Sequence, residues 1–509
     1  MEKIRNAVSN SYIVLSLTLL GIFFGYLLRI YLSRNLTLED FGLFYAVSAF
    51  IGLFTLVRYL GLNQALAKFI PEFLIRRQKG DIKSSISAVF MLQAATIVAF
   101  TLLIFIFREQ ISISLFKSST AEPVLLLMTL SFFPSMFFTI FQSVFQGYQR
   151  LKLYASVEPV RIGLTFIFSV LLISYGATGV AAAYLIAACA TTLVFFKKFH
   201  DIGAMKVASS ISFKLTRKLL KFSIPVFVSS IAVIIISFTD TLIITFYRTL
   251  PEVALYQVAL PTSQLLLVFS GSIAAVAFPL ISELYSRKRF RDVQKGVRAM
   301  SVLLLVMVMP FVALLVTFPD AIIGILFSES FLPASLALRV LSISMVFYSL
   351  FVIFQTTIDG IGKPVITTKI MFAMAAVNLV LNFSFVPALG ITGSAFASLL
   401  AYVTGVILGM RYLKKENIQL PGKRIGKIIF SAIVSGAAMH ATRIALDMNI
   451  YLEFAIALIV GFSVYIISSL AVKAISYEDV EFLESKGSMP KPIRKFTRII
   501  FRKKKEVVV

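Results

Sequence analysis

Charge is scarce in this sequence. Asp, Glu, Lys and Arg make up 14% of the 509 residues while hydrophobic types make up 59%, too little polar surface to clothe a soluble domain of that size. Cysteine is nearly missing. The single Cys189 sits inside an apolar block, which excludes a disulfide framework and a cysteine-built metal site. The two histidines, His200 and His440, lie far apart in sequence and offer no metal pair. No segment between the apolar blocks is long enough for a separate folded domain, and no acid/base or nucleophilic constellation stands out. A membrane glycosyltransferase, ligase or polymerase would need a large outer loop with paired acids or a His/Arg site, so the chain is not expected to be an enzyme. Gly360-Ile-Gly-Lys363 runs into Pro364 and lacks the spacing and the following Ser/Thr of a phosphate loop.

What is present is a succession of apolar blocks of roughly 20 residues, about the length a helix needs to cross hydrocarbon. Fourteen spans are predicted, at approximately 11–33, 42–64, 84–107, 122–146, 153–175, 178–197, 219–247, 254–282, 298–318, 333–356, 365–386, 392–413, 426–445 and 452–474. The expected fold is therefore all-α, a polytopic membrane protein. The first block, Tyr12 to Leu28, has no small-residue cleavage site behind it and is expected to be a retained helix.

A formal net charge of +25 would suit a nucleic-acid binder if it were gathered on a soluble face among aromatics. It is not. With the N-terminus in the cytoplasm, roughly 40 of the 49 basic residues fall on the cytoplasmic side, and the outer connections hold only Arg34, Arg108, Lys117, Arg248 and Arg443. The charge reads as an orientation signal in a cell membrane, with both termini cytoplasmic and no nucleic-acid partner. The tail from Lys486 to Lys505 is expected to lie on anionic headgroups.

The second half of the chain echoes the first at an offset of about 212 residues. Glu72-Phe-Leu-Ile-Arg-Arg-Gln-Lys-Gly-Asp81 returns as Glu283-Leu-Tyr-Ser-Arg-Lys-Arg-Phe-Arg-Asp292, and Gly176-Ala-Thr-Gly179 returns as Gly390-Ile-Thr-Gly393. Six spans per half is an even number, so the halves enter from the same side as parallel repeats. This divides the chain into a six-helix lobe at 1–200, a cytoplasmic linker at 201–218, a second six-helix lobe at 219–415, two additional spans within 416–476 and a basic tail at 477–509. Such bundles place a solute path between the lobes, and a monomer is expected.

Ionisable residues inside spans are costly and mark function by default. Arg58 lies mid-span, where snorkelling is hard. A wet cavity, in which its planar fork would take a phosphate, and a structural pairing are both open. Arg29 is one turn from Arg34 and close enough to snorkel outward. Arg161 follows Glu158 by three residues on one helix face, so a local ion pair competes with a place on the path. Arg339 is read as snorkelling. Gln142 and Gln146 either line the path or bond across helices. Asp240 sits two turns inside the outer end of the seventh span, at a depth similar to Asn378 and Asn382, which share one helix face. Thr392, Ser394 and Ser398 start the next span from the same side. One carboxylate, amide carbonyls and hydroxyls make an oxygen-rich set suited to a hard cation such as Na⁺. Proton coupling through Asp240 and a purely structural network stay open; no other cofactor is expected. Pro134, Pro225, Pro261, Pro279 and Pro310 are expected to kink helices.

Leu36-Thr-Leu-Glu-Asp-Phe-Gly-Leu-Phe44, Phe69-Ile-Pro-Glu72, Gly147-Tyr-Gln-Arg150, Thr239-Asp-Thr-Leu242 and the paired Gly-x-Thr-Gly turns, in this order across residues 1–415, resemble the multidrug/oligosaccharidyl-lipid/polysaccharide flippase superfamily. The likeness is to its polysaccharide-transport branch, the lipid-linked oligosaccharide flippases. The resemblance implies two six-helix lobes around a central cavity, alternating access, and a cargo built of a glycan on an isoprenoid phosphate or pyrophosphate, for surface polysaccharide or protein glycosylation. It implies that Arg29, as the cation of the first helix, faces the cavity. It also implies a sodium site on three helices of the second lobe, here Asp240, Asn378 and Asn382, with Asn382 standing where a second acid is often found. A cation-coupled small-molecule extruder of the same architecture is the alternative.

Overall fold

The computed structural model describes residues 2–202, 212–445 and 449–474. The chain divides into two compact units, Met1–Gln257 and Val258–Val509, each taken by itself here. The first contains α1 (Glu2–Asn35), α2 (Leu38–Tyr59), α3 (Leu62–Ile75), α4 (Lys79–Ser114), α5 (Ala121–Leu130), α6 (Phe132–Gly147), α7 (Leu151–Leu172), α8 (Gly176–Asp201), α9 (Phe213–Tyr247) and the first half of α10 (Leu250–Gln264). The second contains the rest of α10, then α11 (Leu267–Ser286), α12 (Phe290–Thr317), α13 (Pro319–Leu326), α14 (Ser335–Gly360), α15 (Pro364–Lys415), α16 (Gly422–Ala445) and α17 (Ile450–Ala471). The tail beyond residue 474, with Lys486 to Lys505, lies outside the described residues, as does the middle of the linker.

Among the described residues, twelve stretches are long and apolar enough to cross a membrane. Two of them, Leu151–Asp201 and Pro364–Lys415, run for 51 and 52 residues, twice what one crossing needs. Counted as two crossings each, they give the fourteen spans expected, in an all-helical multi-pass membrane protein. Large apolar side chains such as Phe105 and Ile106 on α4 and Ile459 and Ile467 on α17 stay exposed, as contact with lipid tails requires.

The midpoints of the two long stretches are the repeated Gly-x-Thr-Gly turns. Gly176 stands at φ 60°, ψ −145° and Gly390 at φ 56°, ψ −137°, a region closed to residues with a Cβ. The second glycine of each turn lets the chain fold back closely. A Cβ on Gly179 would sit 1.9 Å from the Leu172 carbonyl oxygen, and one on Gly393 2.5 Å from that of Phe385.

The charged repeat serves two helix ends. At the end of α3 the Arg76 and Gln78 amides donate back to the Glu72 and Phe73 carbonyls around a left-handed Arg77; at the end of α11 the Arg287 and Arg289 amides donate to Glu283 and Leu284 around a left-handed Lys288. Ion pairs Arg76–Glu72 at 3.1 Å and Arg287–Glu283 at 2.9 Å complete the match. The Leu36–Phe44 motif is a joint. Thr37 Oγ1 accepts from the Asp40 amide and donates to its carboxylate, each at 3.1 Å, capping α2, and the same carboxylate accepts from the Ala177 amide at 3.4 Å at the start of α8.

Pro134 falls in the first turn of α6, after a break at Ser131, where no amide is needed. Pro225, Pro279 and Pro310 lie inside α9, α11 and α12, and Pro261 lies near the end of α10. The phosphate-loop look-alike is the α14–α15 turn, where Gly362 has φ 83° and Lys363 Nζ pairs with Glu416 at 2.8 Å. Arg339 pairs with Asp320 at 3.6 Å, and Arg443 of α16 reaches both Asp320 at 3.8 Å and Glu453 of α17 at 3.7 Å.

Candidate functional site

Three guanidiniums gather in the first unit. α1 packs on α7, α7 on α8, and α8 on α2 and α6, which directs Arg29, Arg58, Arg161 and two half-buried tyrosines, Tyr45 and Tyr184, toward common ground. Arg29 stacks on the Tyr45 ring at 4.1 Å, and its Nη1 donates to the Gln257 backbone carbonyl and, at 3.1 Å, to Gln257 Oε1. Arg58 is buried in the last turn of α2, its guanidinium 4.3 Å from the centre of the Phe132 ring. A cation there also suits the carbonyl end of the helix. Arg161 donates to both Glu158 oxygens, at 2.5 and 3.1 Å. The fields of Arg29, Arg161 and Glu158 all reach Tyr184, and that of Arg161 reaches Arg58.

Three cations against one carboxylate in apolar surroundings favour an anion. Each guanidinium offers a planar fork of donors that matches phosphate oxygens, and in a low-dielectric setting such attraction is stronger than in water. Arg161 brings its own counter-charge. Gln142 donates to the Tyr154 carbonyl at 3.3 Å, tying α6 to α7, and Gln146 is exposed near the end of α6.

The oxygen-rich set is divided between the units. In the first, the buried Asp240 accepts from the Tyr256 hydroxyl at 2.6 Å, and next to it Thr241 Oγ1 accepts from the Gln257 amide at 2.6 Å. In the second, the Gly390 corner turns α15 back so that its two arms face each other. There Asn378 Nδ2 donates to Ser398 Oγ at 3.2 Å, Asn382 Nδ2 to the Asn378 carbonyl at 2.9 Å, and Ser394 Oγ to Asn382 Oδ1 at 2.7 Å. All four side chains are fully buried. The first unit offers a carboxylate and a hydroxyl oxygen and the second offers amide and hydroxyl oxygens, and oxygen ligands of either kind suit a hard cation. Among the described residues no three His, Cys, Asp or Glu side chains gather as a metal site, so a cation here would rely on neutral oxygens.

Sequence reasoning missed Tyr45, Tyr184, Tyr256 and Gln257. The signal for the last two was a polar pair, one helix on from the polar pair Asp240 and Thr241, in otherwise apolar sequence.

The polysaccharide biosynthesis protein family matches residues 7–285, and the MatE family matches residues 225–384. Uncharacterized membrane protein MJ1068 of Methanocaldococcus jannaschii is 30% identical over 482 residues, 91% of this chain and 94% of that one. The probable low-salt glycan biosynthesis flippase Agl15 of Haloferax volcanii is 25% identical over 447 residues, 86% of this chain and 89% of that one. Among solved structures, the lipid II flippase MurJ in an inward closed conformation is similar with a TM-score of 0.75 at 19% identity, over 91% of this chain and 98% of that one. That likeness is one of fold.

Proposed function

Because the chain belongs to the polysaccharide biosynthesis protein family, within the multidrug/oligosaccharidyl-lipid/polysaccharide flippase superfamily, we propose that it flips a glycan linked to an isoprenoid phosphate or pyrophosphate across the cytoplasmic membrane by alternating access. The observation that carries this reading is the cluster of Arg29, Arg58 and Arg161 beside Tyr45, Tyr184 and Phe132. A phosphate leaving water loses its hydration, and charge-assisted bonds to guanidiniums already in place offset that loss. The name of one similar protein, a probable low-salt glycan biosynthesis flippase, supports the cargo class.

The headgroup enters from the cytoplasmic side, where both termini lie by the distribution of Lys and Arg. Its phosphate meets Arg58, and Arg29 takes it nearer the outer exit, while the isoprenoid tail stays in lipid. Arg161 stays with Glu158 and adds to the local field. Asp240 in the first unit and, separately, Asn378, Asn382, Ser394 and Ser398 in the second are the candidate groups for coupling to Na⁺ or a proton. A second reading, a cation-coupled extruder of small molecules, is favoured by the MatE match over residues 225–384; it predicts transport of apolar cations in place of lipid-linked sugars.

The test is flipping of a fluorescent lipid-linked sugar in vesicles holding the purified protein. Wild type should move the probe between leaflets, and Arg58→Ala should abolish movement with normal expression. Transport by Arg58→Ala at the wild-type rate refutes the assignment of Arg58.

A further inference from the structure

Two consecutive residues of α9 are tied to two consecutive residues of α10. The Tyr256 hydroxyl donates to Asp240 at 2.6 Å, and one residue on, the Gln257 amide donates to Thr241 Oγ1 at 2.6 Å. All four side chains are buried. Gln257 is also the residue that Arg29 grips from α1, through its backbone carbonyl and its side-chain oxygen. Its amide nitrogen therefore faces α9 and its oxygens face α1. One glutamine bridges the helix of the carboxylate and the helix of the guanidinium.

Both oxygens of Gln257 engage the same nitrogen, Arg29 Nη1. They occupy a donor group that a phosphate would otherwise take. Gln257 is a neutral acceptor, and a phosphate makes bonds to a guanidinium roughly twice as strong. Arg29 thus exchanges partners favourably once Gln257 can withdraw. Gln257 is held in place by its own bond to Thr241 and, through the helix backbone it shares with Tyr256, by its neighbour's bond to Asp240.

We propose that Gln257 is a latch on Arg29, and that the Asp240–Tyr256 hydrogen bond keeps it closed. The Asp240–Tyr256 bond thereby sets whether Arg29 is available to an anionic ligand, and by linkage an anion on Arg29 acts back on that bond. The identity of the anion rests on the cargo reading above; the latch rests on the four side chains and Arg29 alone.

The test reads Arg29 directly, without transport. The purified full-length protein is treated with phenylglyoxal, and modification of Arg29 is followed by mass spectrometry against the exposed Arg287 as an internal reference. Tyr256→Phe, which keeps the ring and removes the hydroxyl, and Asp240→Asn should each raise the relative rate at Arg29 by at least about fivefold. In a Gln257→Met background, where Arg29 keeps only the backbone carbonyl of residue 257, each substitution should add clearly less than it does in the wild type. Thr241→Val removes the acceptor of the Gln257 side-chain amide while Arg29, Asp240 and Gln257 themselves stay unsubstituted, and should raise the rate on its own; it carries the test if Gln257→Met does not fold. An unchanged rate at Arg29 in both Tyr256→Phe and Asp240→Asn overturns the latch. So does an equal increase with and without Gln257. Coupled rates in a protein that flips no lipid-linked sugar would uphold the latch and refute the cargo.

Discussion

Gly176 and Gly390 adopt one backbone conformation, φ 60° and ψ −145° in the first and φ 56° and ψ −137° in the second. Each turns one long helical stretch back on itself within its own unit. The conformation costs a residue with a Cβ about 1–3 kcal/mol. At Gly176 a Cβ would also lie 3.0 Å from the Asp40 carboxylate. Gly176→Ala and Gly390→Ala should each lower the thermal unfolding midpoint in detergent, Gly176→Ala by more, because it also disturbs the Asp40 joint. Unfolding midpoints followed by circular dichroism check this.

Arg58 and Arg161 should respond differently to removal. Arg161 is bound to Glu158 on its own helix, so much of its charge is already answered. Arg161→Ala is expected to slow flipping by less than tenfold, whereas Arg58→Ala removes it. Initial rates for the two variants in matched vesicles decide the order.

The amide network on α15 gives a stability prediction. Asn382→Ala leaves Ser394 without its acceptor and Asn378 without the contact to its carbonyl, all in buried surroundings. Leaving buried polar groups unsatisfied costs about 1–3 kcal/mol. Unfolding midpoints should fall for Asn382→Ala and recover in Asn382→Asp only when Na⁺ or a proton neutralises the new carboxylate.

A pH dependence follows where the two ends of α15 meet, at Lys363 and Glu416. The hydrogen bond from Lys363 holds the Glu416 carboxyl below the usual carboxylate range, and bonds to Glu416 and Tyr412 push the Lys363 ammonium upward. Glu416 therefore contributes fully above its ordinary value near about 4.3, and the contribution is lost as pH falls through the depressed folded value. Lys363 contributes fully below its ordinary value near about 10.4, and that is lost as pH rises through the raised folded value. The clip is whole between those limits. Both groups are partly exposed, so the effect is small. The gap in unfolding midpoint between wild type and Glu416→Gln should be greatest near neutral pH and close as the solution is acidified.

The helices and their number were legible because hydrocarbon imposes a length, and a run of roughly 20 apolar residues leaves little choice. The repeat was legible in Glu72–Asp81 and Glu283–Asp292 because each helix end needs the same charges and the same left-handed residue. The role of the Leu36–Phe44 motif was not: the bond between Asp40 and Ala177 joins positions 137 residues apart, and no periodicity reveals it. Arg29, Arg58 and Arg161 stood out as charges inside spans. Their aromatic partners Tyr45, Tyr184 and Phe132 did not, because 13% of the sequence is aromatic and three rings among so many carry no signal. Tyr256 and Gln257 were hidden for a related reason. They lie inside the span read at 254–282, and nothing in their spacing shows that α10 sets them against Asp240 and Thr241 of α9.

The proposed function turns on a cationic cluster, with Arg58 buried and Arg29 and Arg161 half-buried, that recognises phosphate on an isoprenoid. Isothermal titration of the purified protein with geranylgeranyl diphosphate and with geranylgeraniol, which differ in the phosphates, measures this directly. Wild type should bind the diphosphate at least about tenfold more tightly than the alcohol, since one charge-assisted hydrogen bond contributes roughly 1.5–3 kcal/mol. Arg58→Ala should lose most of that preference. Equal affinity of wild type for the diphosphate and the alcohol would contradict the account.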